Sequence, residues 1–326
     1  MALDILADMV INPKLEQEDI DKERTVILEE LKMYRDLPQS YVYDLLDELL
    51  WPDQPFGMSI IGSFESVNRL NRQDLNSYKI GYYTPPNIVV SAAGLLDHRK
   101  FVEQVKSIFS GLKDEKESSF APARENQTEP QLNMLHKETE QTHMAMGFHG
   151  FKRDHPLKHA FGLLHIILGG NMSSRLFNEV REKRGLAYEI GTHAKRFQDT
   201  GAFIVHAGMD NRKVEEAIKL ILQELEKVKR DLVTEGEFKR AKEFYLGQLM
   251  LALEDTLDNM LWIGESTSCL DKVYTLEEVI QEVGLVKRQD LRDVAQDILK
   301  EKSLNLALIG PLNDKKDKIC SLLRLS

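Results

Sequence analysis

Two glutamates, Glu23 and Glu30, fall on the apolar stripe of a predicted helix over residues 19–34. Seven residues are almost two helical turns, so both carboxylates should point the same way, roughly 10 Å apart along the axis. Unpaired carboxylates on a buried stripe cost free energy. The pattern therefore predicts that a cation, either a metal ion or a basic partner, faces them. The stripe runs at steps of three and four through Ile20, Glu23, Ile27, Glu30 and Tyr34.

Composition bounds the class of protein that carries these glutamates. The chain has 326 residues, enough for roughly two domains, and its net charge of −10 argues against a nucleic-acid or anionic-membrane binder. Its two cysteines form no CxxC motif, which indicates a reducing compartment. The first residues lack the basic start of a signal peptide, and no apolar run is long enough to span a membrane. We therefore expect a cytoplasmic protein.

The chain repeats itself on either side of a polar segment at 113–130, which holds two prolines and is predicted to be an interdomain linker. Residues 71–75 match 287–291 at an offset of 216. The glutamate helix repeats at an offset of 218, where Ala241 stands for Glu23 and Gln248 for Glu30. The apolar frame persists while both carboxylates are absent. This indicates that the glutamates serve chemistry rather than packing.

The two copies differ in length. The second runs from about Gln131 to the end and is predicted to contain strands at 143–148, 186–194, 202–209 and 303–310 and a helix from about 157 to 168. The first is predicted to end in a matching strand at 87–94 and lacks roughly 80 residues at its front. We therefore expect the chain to start in mid-domain, with domains at 1–112 and 131–326.

A second motif lies at 168–190. Ser173 or Ser174 could cap a short helix, and Gly185 suits the left-handed position that ends one. Arg181 would then sit in the last helical turn and Tyr188 near the start of the next strand. From spacing alone, Arg181 complements the carboxyl end of the helix and Tyr188 is a half-buried strand residue.

These residues together carry a family resemblance. Gly-Gly-Asn-Met-Ser-Ser-Arg-Leu-Phe at 169–177, followed by Arg-Glu-Lys-Arg-Gly-Leu-Ala-Tyr at 181–188, resembles the second-domain signature of the M16 metallopeptidases, which include insulinase, pitrilysin and the mitochondrial processing peptidase. Glu-Arg-Thr-Val-Ile-Leu-Glu-Glu at 23–30 resembles the helix that supplies that family's third zinc ligand. The likeness extends over essentially the whole chain. It implies an α+β fold of two homologous domains, each a mostly antiparallel sheet packed against helices, with the first truncated at its N-terminus.

The resemblance also implies roles. Glu30 matches the zinc ligand and Glu23 the acidic residue that supports the Zn²⁺ site from the same face. Arg181 and Tyr188 match the second-domain pair that holds the substrate backbone and the developing oxyanion. The family's His-x-x-Glu-His motif, which supplies two zinc ligands and the general base, occurs nowhere in this sequence. His155-Pro-Leu-Lys-His159 has the histidine spacing only, and Lys158 cannot replace the base.

Three interpretations follow. The first is a zinc endopeptidase that hydrolyses peptides or small proteins in a two-domain chamber, its N-terminal part missing because of a gene truncation, a misassigned start or expression of a fragment. Such a chain should be inactive alone. The second is a non-catalytic subunit that lends Arg181 and Tyr188 to a zinc-bearing M16 partner or to a homodimer. The third is a peptide-binding or structural α/β protein.

Overall fold

The computed structural model describes residues 2–113, 119–312 and 315–325. They form two compact units that interleave along the chain. The first unit contains Met1–Met33, Ile60–Ala121 and Met250–Tyr274. The second contains Tyr34–Ser59, Pro122–Leu249 and Thr275–Ser326.

The second unit is built on a five-stranded sheet in the order β1-β5-β2-β4-β3. Only β1 and β5 run parallel, and the other neighbours are antiparallel. Four of the five strands confirm those predicted in the second copy, whereas the strand at Gln131–His136 was not predicted. A mostly antiparallel sheet with helices confirms the predicted α+β class. The strands are β1 (Gln131–His136), β2 (Gln141–Gly150), β3 (Ala187–Arg196), β4 (Gly201–Asp210) and β5 (Asn305–Gly310).

The larger core lies on one face of this sheet. Alternate strand residues such as Met146, Phe203 and Leu306 are fully buried there against the helices. These helices show the apolar spacing of core-facing helices. They are α7 (Lys158–Gly169), α8 (Val214–Arg230), α9 (Glu235–Glu254), α11 (Leu276–Leu285), α12 (Arg288–Ile298) and α13 (Lys316–Leu322).

A single early helix, α3 (Pro38–Leu50), covers part of the opposite face. Leu46 of α3 lies so close to Gly147 that a Cβ atom there would be 2.9 Å from a leucine methyl group, so glycine permits the close approach. Lys195 of β3 forms an ion pair of 2.6 Å with Asp47. Residues 34–59 therefore fold with the second unit, although they precede the predicted linker.

The described part of the first unit is helical. It consists of α1 (Ala2–Ile11), most of α2 (Gln17–Asp36), α4 (Phe64–Arg69), α5 (Arg72–Tyr82), α6 (His98–Phe109) and α10 (Thr256–Leu270). Lys79 of α5 donates to the Ile11 carbonyl, and Ser91 donates to the Met260 carbonyl near α10. Helix α2 confirms the helix predicted for residues 19–34.

The strand predicted at 87–94 is not formed. Residues 88–93 have no strand assignment, and a short 3₁₀ turn ends at Asn87. The matching residues, Asn305–Gly310, form a strand because they hydrogen-bond to β1 on one side and β2 on the other. Within the described residues, 88–93 have no such neighbour, and a strand needs one to satisfy its backbone groups.

The predicted linker contacts the second unit where it is described. Residues 119–130 form no helix or strand, and residues 114–118 lie outside the described part. The backbone amide of Arg124 donates to Gln54, whose side chain donates back to the Arg124 carbonyl. The amide of Ala123 donates to Asp199. The domain bounds 1–112 and 131–326 remain a prediction. They were drawn from the sequence repeat, whereas the two compact units are defined by contacts in space.

Candidate metal and substrate sites

Glu23 and Glu30 are both exposed, so the expectation that they lie on a buried stripe is wrong for these two positions. The apolar members of the stripe, Ile20 and Ile27, are half-buried. Together with Glu23 they line one side of a groove of about 380 Å³, and residues of α4 and α5 line the other side. Arg24, next to Glu23, donates hydrogen bonds to the carbonyls of Val67 and Leu70 and fixes α2 there. Neither glutamate forms an ion pair within the described residues.

The described residues do not form a zinc site by themselves. No group of three or more His, Cys, Asp or Glu side chains within them could hold a metal ion. Catalytic zinc requires three protein ligands and an open position. Glu30 could supply at most one of them, so the described residues alone have too few ligands for catalytic zinc.

Arg181 lies in a π-helical turn, Phe177–Glu182, rather than in the last turn of an α-helix. Its guanidinium is 4.7 Å from the Phe177 ring centre and 3.9 Å from the Glu182 carboxylate, and its side chain is 44% exposed. Gly185 has φ of +56° and ends the turn as predicted. The predicted serine cap is not formed, because the Ser174 hydroxyl is buried without a hydrogen-bond partner. Single π turns are frequent at functional sites.

Tyr188 is 63% exposed, more than the half-buried position that spacing alone predicts. The register of β3 against β4 shifts between Ala187 and Glu189, which makes Tyr188 the unpaired residue of a β-bulge. A bulge re-aims a side chain that would otherwise follow the alternation of the strand. Arg181 and Tyr188 thus both project polar groups into solvent from the second unit. Glu23 and Glu30 belong to the first unit.

The two histidines with zinc-like spacing have separate partners. His155 stacks on Phe151 at 3.8 Å and accepts a hydrogen bond from the Leu157 amide at Nδ1. His159 is 2.7 Å from the Glu282 carboxylate at Nε2 and 3.2 Å from the Tyr245 hydroxyl at Nδ1. A neutral ring that donates from Nε2 and accepts at Nδ1 satisfies both contacts, and burial lowers the pKa of His159. His159 therefore joins α7 to α9 and α11.

We expect His159→Ala to lower the free energy of unfolding by about 2–4 kcal/mol, because it leaves the Tyr245 hydroxyl and the Glu282 carboxylate without this partner and opens a cavity. Urea unfolding measures the change. His136→Ala is the matched control, since His136 is exposed and its one side-chain contact among the described residues is an ion pair with Glu138, which should be worth about 1 kcal/mol or less. Equal losses in the two variants would contradict the bridging role of His159.

Three histidines that look scattered in the sequence come together in the second unit. His193 of β3 and His206 of β4 stack with ring centres 4.6 Å apart, and His165 of α7 bonds Thr192 on the other face of β3. The two rings occupy diagonal positions on neighbouring strands, since His193 opposes Ile204 and His206 opposes Gly191. The sequence does not reveal this pair, because the register depends on the bulge at Tyr188. Burial lowers the pKa of His165 and of His206 to about 4.

Comparison with known proteins agrees with these features. Residues 69–245 match the family described as peptidase M16 inactive domain, and residues 1–63 match insulinase (peptidase family M16). An uncharacterized zinc protease of Streptomyces coelicolor is 36% identical over 322 residues, which cover 97% of this chain and 70% of the relative. The chain belongs to the M16 peptidase family.

Other relatives of this M16 chain agree. An uncharacterized zinc protease of Bacillus subtilis is 34% identical over 310 residues, covering 95% of this chain and 75% of the relative. The crystal structure of a protease from Helicobacter pylori shares the fold, with a TM-score of 0.88, 23% identity, and coverage of 94% of this chain and 76% of that one. Among the described residues, no helix of the M16 chain is both long and apolar enough to cross a membrane.

Proposed function

We propose that this M16 chain is the greater part of a zinc endopeptidase. Glu30 would be one zinc ligand, Glu23 would support the site from the same face, and Arg181 and Tyr188 would hold the backbone of a peptide substrate. The two histidine ligands and the general base would come from a segment with His-x-x-Glu-His, which this sequence lacks.

The observation that carries the proposal is the correspondence between α2 and α9. Both helices contain 20 residues, and each end of α9 lies 218 residues after that of α2. We infer that they are copies of one element. Helices α5 and α12 also correspond, at an offset of 216. In each, the backbone amide of the residue before the helix donates to an aspartate three residues later, Asn71 to Asp74 and Lys287 to Asp290.

The face of α9 that corresponds to the glutamates is turned toward α7. Ala241, the counterpart of Glu23, lines a cavity with Ile166 and Ile167 of α7, and Tyr245 bonds His159 of α7. By analogy, the face of α2 with Glu23 and Glu30 would meet a helix equivalent to α7. At that offset α7 has no counterpart in this sequence, which accounts for two exposed carboxylates beside half-buried isoleucines.

The second unit would supply substrate contacts. The guanidinium of Arg181 can donate hydrogen bonds from a planar fork and the hydroxyl of Tyr188 can donate one, and both side chains are exposed. Such donors suit a peptide carbonyl and the negative charge that develops on it. Bound zinc supplies a Lewis acid and an acidified water. The cytoplasm remains the proposed compartment, with a peptide or an unfolded protein as substrate.

The test is to fuse to Met1 a first-domain segment of a family member that carries His-x-x-Glu-His. The fused protein should bind stoichiometric zinc and hydrolyse a quenched fluorescent peptide, whereas the unfused chain should bind zinc weakly and hydrolyse nothing. Metal analysis and peptide fluorescence measure both. Stoichiometric zinc on the unfused chain would place the metal elsewhere and contradict the role of Glu30.

Arg181→Gln and Tyr188→Phe, made in the fused protein, test the substrate roles. We expect kcat/KM to fall about 10²–10³-fold with zinc content unchanged, because each variant removes a donor to the oxyanion. Arg184→Gln is the control for Arg181, since Arg184 lies in the same segment and pairs with Glu179. An unchanged kcat/KM in both variants would contradict the proposal.

The absence of His-x-x-Glu-His also favours a second candidate, a non-catalytic subunit that lends Arg181 and Tyr188 to a zinc-bearing M16 chain. This candidate predicts that the fused protein folds but stays without zinc or activity. It also predicts that the unfused chain raises the activity of an added zinc-bearing M16 partner, and that Arg181→Gln removes the increase.

A further inference from the structure

A cavity of about 330 Å³ lies in the second unit between α7, the loop at 171–174 and α9. This volume is at the lower end of the range for small-ligand pockets. Its apolar wall includes Ile166 and Ile167, which are 7% and 5% exposed, and Phe244. Ala241 stands where α2 has Glu23, and its small side chain leaves this space open.

The polar groups at this cavity are mostly unused donors. The Arg240 side chain is exposed and makes no ion pair or hydrogen bond within the described residues. Ser174 is 2% exposed, and its hydroxyl has no partner. The Oδ1 atom of Asn171 accepts from the Ser173 amide, and in the described part its Nδ2 group bonds nothing. A buried hydroxyl without a partner costs free energy, and a ligand that accepts from it would recover this cost.

The acceptors at the cavity are already occupied. Glu237 accepts two hydrogen bonds from Arg175, at 2.7 and 2.9 Å, and further ones from the amide and hydroxyl of Thr234. Burial opposes the charge on both groups, but their hydrogen-bonded pairing outweighs it, so the Arg175 pKa is raised and the Glu237 pKa is lowered to about 2. This pairing fixes the wall of the cavity. Among the described residues that line it, Arg240 carries the charge that has no partner.

We propose that this cavity binds a carboxylate attached to an apolar body, the chemistry of a peptide that ends in an apolar residue with a free C-terminus. The carboxylate would pair with Arg240 and accept from Ser174 or Asn171, while the apolar side chain would contact Ile166 and Phe244. This proposal depends on the proposed function in one respect, which is that the ligand is a peptide. It adds a second peptide contact in the unit that carries Arg181 and Tyr188.

The test titrates the unfused, metal-free chain with fluorescein-labelled Gly-Ser-Gly-Leu and follows anisotropy. The peptide with a free C-terminal carboxylate should bind at least about tenfold more tightly than its C-terminal amide. An amide ending in Asp-Leu distinguishes the source, because binding as tight as that of the free acid would assign the site to an acidic side chain. Equal binding of the free acid and both amides, or no binding, overturns the proposal.

Arg240→Gln should reduce the affinity for the free acid to that for the amide and leave the amide unchanged. Lys239→Gln is the matched control, because Lys239 has the same charge on the same helix, does not line the cavity, and faces Glu243 at 3.9 Å. Equal losses in the two variants would indicate general electrostatics and overturn the site. The titration uses no zinc, so its failure and a failure of the fused protein to bind zinc are independent results.

Discussion

Glu30→Gln, made in the protein fused to a His-x-x-Glu-His segment, should lower peptide hydrolysis by about 10³-fold or more and remove stoichiometric zinc, because catalytic zinc sites use three protein ligands. Glutamine keeps the size of the side chain but loses the negative charge that balances the metal. Glu30 is exposed and has no ion pair within the described residues, so the variant should not destabilise the fold. Metal analysis and the peptide assay measure the two effects.

Two further variants distinguish the zinc ligand, Glu30, from the residue that supports the zinc site, Glu23. Glu23→Gln should lower zinc affinity or activity by about 10–100-fold, the effect typical of a residue that supports a ligand. Glu29→Gln should change neither by more than about twofold, because Glu29 is exposed and pairs with Lys32 at 2.6 Å. If Glu29→Gln and Glu30→Gln had equal effects, the assignment of Glu30 as the ligand would be wrong.

Acidification from pH 6.5 to pH 4 should destabilise the second unit by several kcal/mol, because two histidines are buried there in the neutral form. Burial lowers the pKa of both His165 and His206 to about 4. Their folded pKa lies below the unfolded value, so the unfolded state binds more protons in this window. Stability is therefore complete above pH 6.5 and is lost as pH falls toward 4, by about 2–3 kcal/mol per histidine.

The surroundings of the His165 and His206 rings explain why their pKa values are lowered. His165 donates from Nδ1 to Thr192, whose hydroxyl donates to the His165 carbonyl, and Arg196 opposes a positive charge on the ring. His206 has a buried Nδ1 without a partner and stacks on His193. The Glu189 carboxylate lies 3.7 Å from the Nε2 atom of His206, but it is largely exposed and does not offset the effect of burial on the His206 pKa.

Urea unfolding at half-unit steps of pH measures this loss. His206→Gln should reduce the slope of unfolding free energy against pH by up to about 1 kcal/mol per pH unit between pH 4.5 and 6. His98→Gln, at an exposed position, should leave the slope unchanged. Glu237 does not affect the slope between pH 4.5 and 6, because its pKa is lowered to about 2. Its contribution to the free energy of unfolding is lost only below about pH 4.5. Equal slopes for the His206→Gln and wild-type proteins would contradict the interpretation.

Local sequence was sufficient where a segment supplies its own signals. Helix α2, strands β2 to β5 and the left-handed Gly185 are as predicted, because an apolar period and a glycine at a helix end act within a few residues. The strand at 87–94 has the same apolar pattern as β5 but is not formed. A strand depends on hydrogen-bond partners that lie elsewhere in the chain.

The bulge at Tyr188 and the π turn at Arg181 also could not be predicted from the local sequence. Both depend on how β3 registers against β4 and on how the 171–186 segment packs on the core, and spacing alone predicted ordinary structural roles for the two residues. The same holds for His159. Its spacing from His155 imitates a zinc motif, yet its partners lie on two helices distant in sequence.

The sequence by itself determined the M16 family, because two motifs with fixed residue types and spacing resemble that family. The resemblance in turn implied the α+β class and the candidate residues Glu23, Glu30, Arg181 and Tyr188. Only the tertiary structure decided how exposed these residues are and to which compact unit each helix belongs. It placed α3 on the sheet of the second unit and left both glutamates in solvent. Burial depends on which distant segments pack together, and a helical period specifies a face without specifying what covers it.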